Sequence, residues 1–320
     1  MSAALTDPAG RSIVIALGGN AIARAGDAPG IESQIRRADE AMAYVAGLVA
    51  EGARVVLTHG NGPVVGDILL RGEAASGIIP AMPLYIADAD SEGGIGLVLQ
   101  QALGNRLRLR GVPIPIATVV TQVIVDAEDP AFTNPTKPIG PYFAEEDARR
   151  LAAERGWQIV QVGDRWRRVV PSPRPLRVVE TPAVRALMKA GVVVIAAGGG
   201  GVPVTESAGT VLSGVDAVVD KDWASAVLAA EISAEAFVIL MEADAVYSGW
   251  GTPQQQRLDL LTVAQARELL DSGTLPVGSI GPKVAACAWF AEKTGNDALI
   301  CRGEDLTAAL SGRAGTRFSA

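Results

Sequence analysis

Three short apolar segments of the chain each run directly into a glycine-rich turn. The turns are Gly18-Gly19-Asn20, Gly60-Asn61-Gly62 and Gly198–Gly201. Glycine lets the backbone approach a ligand closely, and exposed N–H groups beside a helix N-terminus favour an anion. In open α/β sheets the ligand lies beyond the carboxyl ends of the strands. The three turns therefore predict an anion-binding site at one edge of a sheet.

The segments around these turns alternate between strand-like and helix-like patterns. Predicted strands are Ser12–Leu17, Arg54–Thr58, Ile114–Thr118, Val192–Ala197, Phe237–Met241 and Ala298–Cys301. Predicted helices are Glu32–Glu51, a helix that begins near Pro63, Asp90–Arg110, Asp222–Glu231, Thr262–Leu270 and Pro282–Thr294. This alternation, with continuously apolar strands, predicts an α/β fold with a mainly parallel sheet.

One proline-rich region, Asp126–Val178, interrupts this rhythm. Long insertions in compact enzymes often carry function, so we interpret residues 126–178 as an inserted protruding subdomain that acts as a lid. The alternative is a structured surface excursion without a role.

Composition excludes several classes of protein. The net charge of −7 argues against a nucleic-acid partner, and one histidine, His59, excludes zinc sites built on two histidines. The chain has no Gly-Lys dipeptide, hence no Walker A loop, and no Gly-x-Gly-x-x-Gly pattern follows a predicted strand. Two cysteines, a polar N-terminus and short apolar runs lead us to expect a cytoplasmic protein without membrane segments.

The lysines are a sharper indication of function. Only five of the 28 basic residues are lysine, and Lys137, Lys221 and Lys283 stand in glycine-, proline- or aspartate-rich surroundings. Lysine is a compact charge on a flexible stem, which suits a phosphoryl group that moves between substrates. Asp220 and Asp222 flank Lys221. They cap a helix, orient the lysine, or hold magnesium through the phosphates.

These motifs resemble those of the carbamate kinase family, within the amino acid kinase fold. The matching segments, in family order, are Ala16–Ile22, His59–Gly66, Val120–Phe143, Arg165–Pro173, Ala196–Val204, Gly214–Asp222 and Gly278–Val284. The resemblance implies one domain over residues 1–320, a three-layer α/β/α sandwich with a mainly parallel central sheet and a small protruding subdomain. It further implies a homodimer that transfers a phosphoryl group reversibly between ATP and carbamate, giving ADP and carbamoyl phosphate, with Mg²⁺.

The resemblance also assigns roles to residues. The catalytic set is Lys137, Lys221, Asp222 and Lys283. The acceptor and the transferring group would lie against Gly18, Gly19, Asn20, Gly60, Asn61, Gly199 and Gly200. The nucleotide would lie in a lobe at 212–320, bordered by Val246, Tyr247, Gly251, Pro253, Gly278 and Gly281, with Lys221 and Lys283. No residue is assigned to hold a metal.

The sequence departs from the family pattern beside the acceptor site. Val64 and Glu92 each stand where the family usually has glutamine. One interpretation places Glu92 in the first turn of its helix, where an acid complements the helix dipole. The other places it at the acceptor pocket, where it would favour an amino- or amidino-bearing acceptor unless the carboxyl is protonated.

Three other functions remain open from the sequence. They are a kinase of the same fold with a different small carboxylate acceptor, a nucleotide-binding sensor without turnover, and a Rossmann oxidoreductase, which the missing glycine fingerprint disfavours.

Overall fold

A computed structural model describes residues 7–19, 22, 30–207, 209–275 and 280–320. The strands in these residues are β1 (Ser12–Leu17), β2 (Arg54–His59), β3 (Ile116–Thr118), β4 (Gln122–Val125), β5 (Lys137–Phe143), β6 (Gln158–Val162), β7 (Arg165–Val170), β8 (Pro175–Val178), β9 (Val193–Ile195), β10 (Val202–Ser207), β11 (Val211–Gly214), β12 (Ala236–Leu240), β13 (Val246–Ser248), β14 (Gln256–Leu258), β15 (Leu260–Thr262), β16 (Asp297–Cys301) and β17 (Thr316–Ser319). The α-helices are α1 (Ile31–Ala50), α2 (Gly62–Ala74), α3 (Leu84–Leu109), α4 (Glu145–Arg155), α5 (Thr181–Lys189), α6 (Lys221–Glu231), α7 (Val263–Asp271), α8 (Gly281–Thr294) and α9 (Leu306–Leu310).

The main sheet is built around β1. Within the described part of the chain it has eight strands in the order β15-β17-β16-β12-β1-β2-β9-β3. The six strands from β16 to β3 are parallel, whereas β17 runs antiparallel to β16. The carboxyl ends of β1, β2, β9 and β12 therefore meet at one edge, as the predicted parallel sheet requires.

Helices cover both faces of this sheet because every side chain of β1 is buried and successive side chains point to opposite faces. Val14 and Ala16 pack into the core that includes α5, α6, α7 and α8. Ile13, Ile15 and Leu17 pack into the core with α1, α3 and α9. The predicted three-layer α/β/α sandwich is confirmed.

The proline-rich region holds a small sheet of its own. Strands β5, β7 and β6 pair antiparallel in that order, and α4 joins β5 to β6. The last strand of the region, β8, pairs instead with β4 of a four-stranded sheet. The separate sheet thus occupies residues 137–170, inside the predicted subdomain at 126–178.

One element boundary was predicted wrongly. The helix expected over Asp90–Arg110 begins at Leu84, directly after Pro83 at the N-cap position. Glu92 therefore lies in the third turn of α3, and its interpretation as a first-turn acid is wrong. No helix of the described residues is long and apolar enough to cross a membrane.

Candidate active site

The three glycine-rich turns converge at the carboxyl edge of the main sheet. A Cβ atom added to Gly60 would lie 3.5 Å from the Cα of Gly19 and 3.3 Å from the Cδ of Lys221. One added to Gly199 would lie 2.2 Å from the Nδ2 of Asn61, so a side chain cannot be placed there. The three turns therefore lie against one another at one edge of the sheet.

Other residues that were predicted to bind the phosphoryl acceptor lie next to these turns. Gly18 and Gly19 line a cavity of about 370 Å³ together with Lys283. Gly200 has a φ of +110°, and an added Cβ would meet the carbonyl oxygen of Val219 at 2.3 Å. Asn20 and the nucleotide residue Gly278 lie outside the described residues.

The three selected lysines meet at the start of α6. Asp220 caps this helix, because its Oδ1 accepts the N–H groups of Asp222 and Trp223 at 3.0 and 3.4 Å. The other oxygen of Asp220, Oδ2, lies 2.6 Å from the Nζ of Lys137, which the subdomain strand β5 carries. Asp220 thus caps the helix and also binds a lysine.

Asp222 holds the other two lysines. Its Oδ1 accepts a hydrogen bond from Lys221, and its Oδ2 lies 3.1 Å from the Nζ of Lys283 in the first turn of α8. All four predicted catalytic residues are therefore brought into one network. Asp220 completes it, although the sequence analysis assigned Asp220 no catalytic role.

The charges of this network depend on one another. Burial acts to raise the pKa of Asp220, but the charge and hydrogen bond of Lys137 outweigh it and hold that pKa well below its usual range. Burial acts to lower the pKa of Lys283, and the nearby carboxylate of Asp222 more than reverses this. Burial lowers the pKa of Lys221, against the attraction of Asp222. A phosphate beside Lys221 would favour its charged form.

Tight packing fixes the position of Lys137. A Cβ added to Gly66 of α2 would lie 2.0 Å from the Cα of Gly140 in β5, so the two backbones are in contact. Gly140 has a φ of +69°, and its carbonyl oxygen accepts hydrogen bonds from Nε and Nη2 of Arg167 at 3.0 and 2.6 Å. Strand β5 is therefore held against α2, and Lys137 with it.

The predicted nucleotide residues lie in two places. Val246 and Tyr247 belong to β13, and Gly251 and Pro253 lie in the turn that joins β13 to β14. The Tyr247 hydroxyl donates to Oδ1 of Asp244 at 3.0 Å. Gly281 is the first residue of α8, two residues before Lys283. The hairpin is held to β17, because the N–H of Val246 donates to Oγ1 of Thr316 at 2.7 Å. Its nucleotide-binding role stays a prediction.

A second cluster of polar side chains lies beside the glycine turns. The sequence analysis predicted only part of this cluster. His59, Asp88 and Glu92 are each at most 2% exposed, and Nε2, Oδ2 and Oε1 of these residues lack hydrogen-bond partners among the described residues. Burial lowers the pKa of His59 to about 4 and raises the pKa values of Asp88 and Glu92 well above their ordinary range. His59 is therefore neutral near pH 7, and burial favours the neutral, protonated forms of Asp88 and Glu92.

The side chain of Glu92 supports the third glycine turn, Gly198–Gly201, through hydrogen bonds. Its Oε2 accepts the backbone N–H of Thr121 at 3.1 Å, and the hydroxyl oxygen of Thr121 accepts the N–H of Ala197 at 2.9 Å. The Cγ of Glu92 would lie 3.1 Å from a Cβ added to Gly198. The other departure, Val64, packs against the core on the α1 and α3 side. Glu92 is thus a support of the turn, and its neutral form removes repulsion of an anion nearby.

Comparison with known proteins identifies the family. The Amino acid kinase family matches residues 11–302. A carbamate kinase of Pyrococcus furiosus is 45% identical over 312 residues, which cover 96% of this chain and 99% of the relative. The chain belongs to the carbamate kinase family, within the amino acid kinase family. A carbamate kinase-like protein of Escherichia coli, YahI, is 43% identical over 310 residues, covering 96% of this chain and 98% of the relative.

A solved structure agrees with this assignment. The carbamate kinase from Giardia lamblia bound to AMP-PNP matches with a TM-score of 0.89 at 38% identity, covering 98% of this chain and 99% of that chain. The family and fold inferred from the motifs are confirmed.

Proposed function

We propose that the protein catalyses reversible phosphoryl transfer between ATP and carbamate, giving ADP and carbamoyl phosphate. The observation that carries the proposal is the convergence of Lys137, Lys221 and Lys283 on two aspartates, next to the three glycine turns. Phosphoryl transfer depends mainly on in-line positioning and charge neutralisation, and this arrangement can provide both without a strong base.

In the ADP direction, the bond between phosphorus and the carboxyl oxygen of carbamoyl phosphate breaks, and carbamate leaves. A terminal oxygen of ADP forms the new bond to the same phosphorus atom. The lysines would neutralise the negative charge on the oxygens of the transferring group. Asp222 would hold the ammonium groups of Lys221 and Lys283 in position. The glycine turns would admit the carboxylate close to the backbone N–H groups.

Within the part of the chain that the structure describes, no set of side chains is placed to hold a resident magnesium ion. The described chain contains no group of three potential ligand side chains, and Asp220 and Asp222 are both engaged by lysines. We expect Mg²⁺ to arrive bound to the nucleotide phosphates, as it does in many kinases.

The lid, the nucleotide lobe, the homodimer and the cytoplasmic location remain proposals. The ion pair between Lys137 and Asp220 supports the proposal that the subdomain at 126–178 closes the site. For the homodimer, the supporting observation is that Leu97, Leu109 and Val120, near the edge strand β3, are at least half exposed. Light scattering of the purified protein would test the dimer.

A kinase of this fold that acts on a different small carboxylate is the second candidate. The observation that favours it is the presence of the buried acids Asp88 and Glu92 beside Asn61.

The test of both candidates is ATP formation from ADP and carbamoyl phosphate, with and without Mg²⁺, followed by a panel of acceptors in the ATP direction. Magnesium-dependent ATP formation supports the proposal. Activity only with another carboxylate would support the second candidate, and no turnover with any acceptor would indicate a nucleotide-binding sensor.

A further inference from the structure

The side-chain amide of Asn61 is held in one orientation by helix α3. Asn61 follows the strand β2, is 3% exposed and stands at the N-cap of α2. Its Nδ2 donates to Oδ1 of Asp88 at 3.1 Å and to Oγ of Ser91 at 2.9 Å. Both hydrogens of the amide are therefore used on α3, and the carbonyl oxygen Oδ1 is the polar atom of this amide left for another partner.

The hydroxyl of Ser91 reinforces this orientation. It donates its own hydrogen to the backbone carbonyl oxygen of Asp88 at 2.7 Å, so its oxygen faces Asn61 as an acceptor. Turning the amide over would require Ser91 to release that carbonyl, and the carboxyl of Asp88 to turn so that its proton, and not Oδ1, faces Asn61. Asp88 and Ser91 lie on one buried face of α3, at 2% and 0% exposure.

Asn61 lies beside the glycine turns, so the orientation of its amide affects what can bind there. The residue is adjacent to Gly60, whose Cα packs against Gly19 and the stem of Lys221, while Gly199 lies against the amide itself. These are the turns at which the proposed function places the acceptor. Because α3 engages the Nδ2 atom of Asn61, Oδ1 is the amide atom left for a ligand beside these turns, and a carbonyl oxygen favours a ligand with an N–H group.

We propose that Asp88 and Ser91 are positioning residues that make the site selective for a carboxylate bearing an N–H donor, by fixing Asn61 with its carbonyl oxygen toward the acceptor. This inference rests on the proposed function. Carbamate carries an amino group that can donate to Asn61, whereas acetate has a methyl group of similar size that cannot. With acetate, the oxygen of Asn61 would lose its water and gain no partner, which costs binding.

Carbamoyl phosphate and acetyl phosphate are the probes for the test, each with ADP and with ATP formation as the readout. The measured quantity is the ratio of kcat/KM for the two phosphoryl donors. In Asp88→Ala and Ser91→Ala the amide of Asn61 can turn over, and we expect the preference for carbamoyl phosphate to fall about tenfold, the worth of one hydrogen bond. Asp88→Asn keeps an acceptor oxygen for Asn61 and should restore the ratio to within about threefold of wild type.

The exposed Asp90 of the same helix supplies the matched control, Asp90→Asn, which should leave the ratio unchanged. A general loss of stability lowers both activities together and does not move the ratio. If Asp88→Ala does not fold, the ratio measured for Ser91→Ala decides the test, because this substitution removes a single oxygen atom. An unchanged ratio in the folded variants overturns the inference while leaving the proposed function intact. Absence of ATP formation by wild type with carbamoyl phosphate refutes the proposed function itself.

Discussion

The buried carboxyl of Glu92 should make the free energy of unfolding fall as the pH rises, and Glu92→Gln should remove that fall. Burial raises the pKa of Glu92 well above its ordinary value of 4.5, and the charges of Asp88 and Glu180 add to this effect. The N–H of Thr121 opposes it with one hydrogen bond. Between pH 4.5 and the raised pKa, the unfolded chain has lost this proton and the native protein still holds it.

Folding must then take up one proton, so the free energy of unfolding falls by about 1.4 kcal/mol for each pH unit in this window. The stabilising contribution is complete below pH 4.5 and is lost as the pH rises toward the native pKa. Glutamine has no proton to take up, and its side-chain oxygen can still accept from Thr121. The variant should therefore gain on wild type by about 1.4 kcal/mol for each pH unit between 4.5 and the native pKa of Glu92.

The assay is equilibrium urea unfolding, followed by tryptophan fluorescence at pH 5, 6 and 7. With a denaturant slope of about 3 kcal/mol per molar, the gain corresponds to about 0.5 M in the midpoint for each pH unit of this window. Asp90→Asn, an exposed acid of the same helix, is the control and should follow wild type. Asp88 and His59 are present in both proteins, so the difference between variant and wild type reports Glu92 together with its coupling to Asp88. A difference that does not change with pH would show that Glu92 is ionised in the native protein and would refute the argument.

Three further predictions concern the lysines and the subdomain. Lys283→Ala should lower kcat for ATP formation by about 10²- to 10³-fold, because one preorganised positive charge is lost. The far-ultraviolet circular dichroism spectrum should be retained, and a kcat near that of wild type would contradict the role of Lys283. Lys137→Ala should lower kcat and leave the Kd for ADP, measured by calorimetry, largely intact; loss of ADP binding with turnover kept would place Lys137 in the nucleotide site. Gly66→Ala should push β5 and its lysine away and lower kcat by about 10²-fold, whereas Gly72→Ala on the same helix meets only ordinary contacts and should leave kcat unchanged.

The strands and glycine turns were the most predictable part of the fold. The bounds of β1 were predicted correctly and those of β2 within one residue, because each is an apolar run that stops at a glycine. Since parallel strands end at one edge, the meeting of the three turns could also be predicted. The start of α3 could not, because its buried face carries the polar residues Asp88, Ser91 and Glu92, whereas the apolar Ile86 and Leu97 are exposed, so hydrophobicity does not mark the buried face.

The contacts that define the site were less predictable, since they join residues far apart in the chain. Lys137 and Asp220 are separated by 83 positions, and their ion pair depends on how β5 packs on α2. The amide orientation of Asn61 depends on the register of α3 against β2, which local sequence does not determine. Asp88 and Glu92 are one helical turn apart, so a correct helix start would have indicated a shared buried face.

The most direct test of the central claim compares kcat for magnesium-dependent ATP formation from ADP and carbamoyl phosphate in wild type and in Lys221→Ala. Lys221 is the buried lysine between the glycine turns and Asp222. We predict rapid ATP formation by wild type and a kcat lower by about 10²- to 10³-fold in the variant, with the fold retained. No ATP formation by wild type, or equal turnover in the two proteins, would contradict the account.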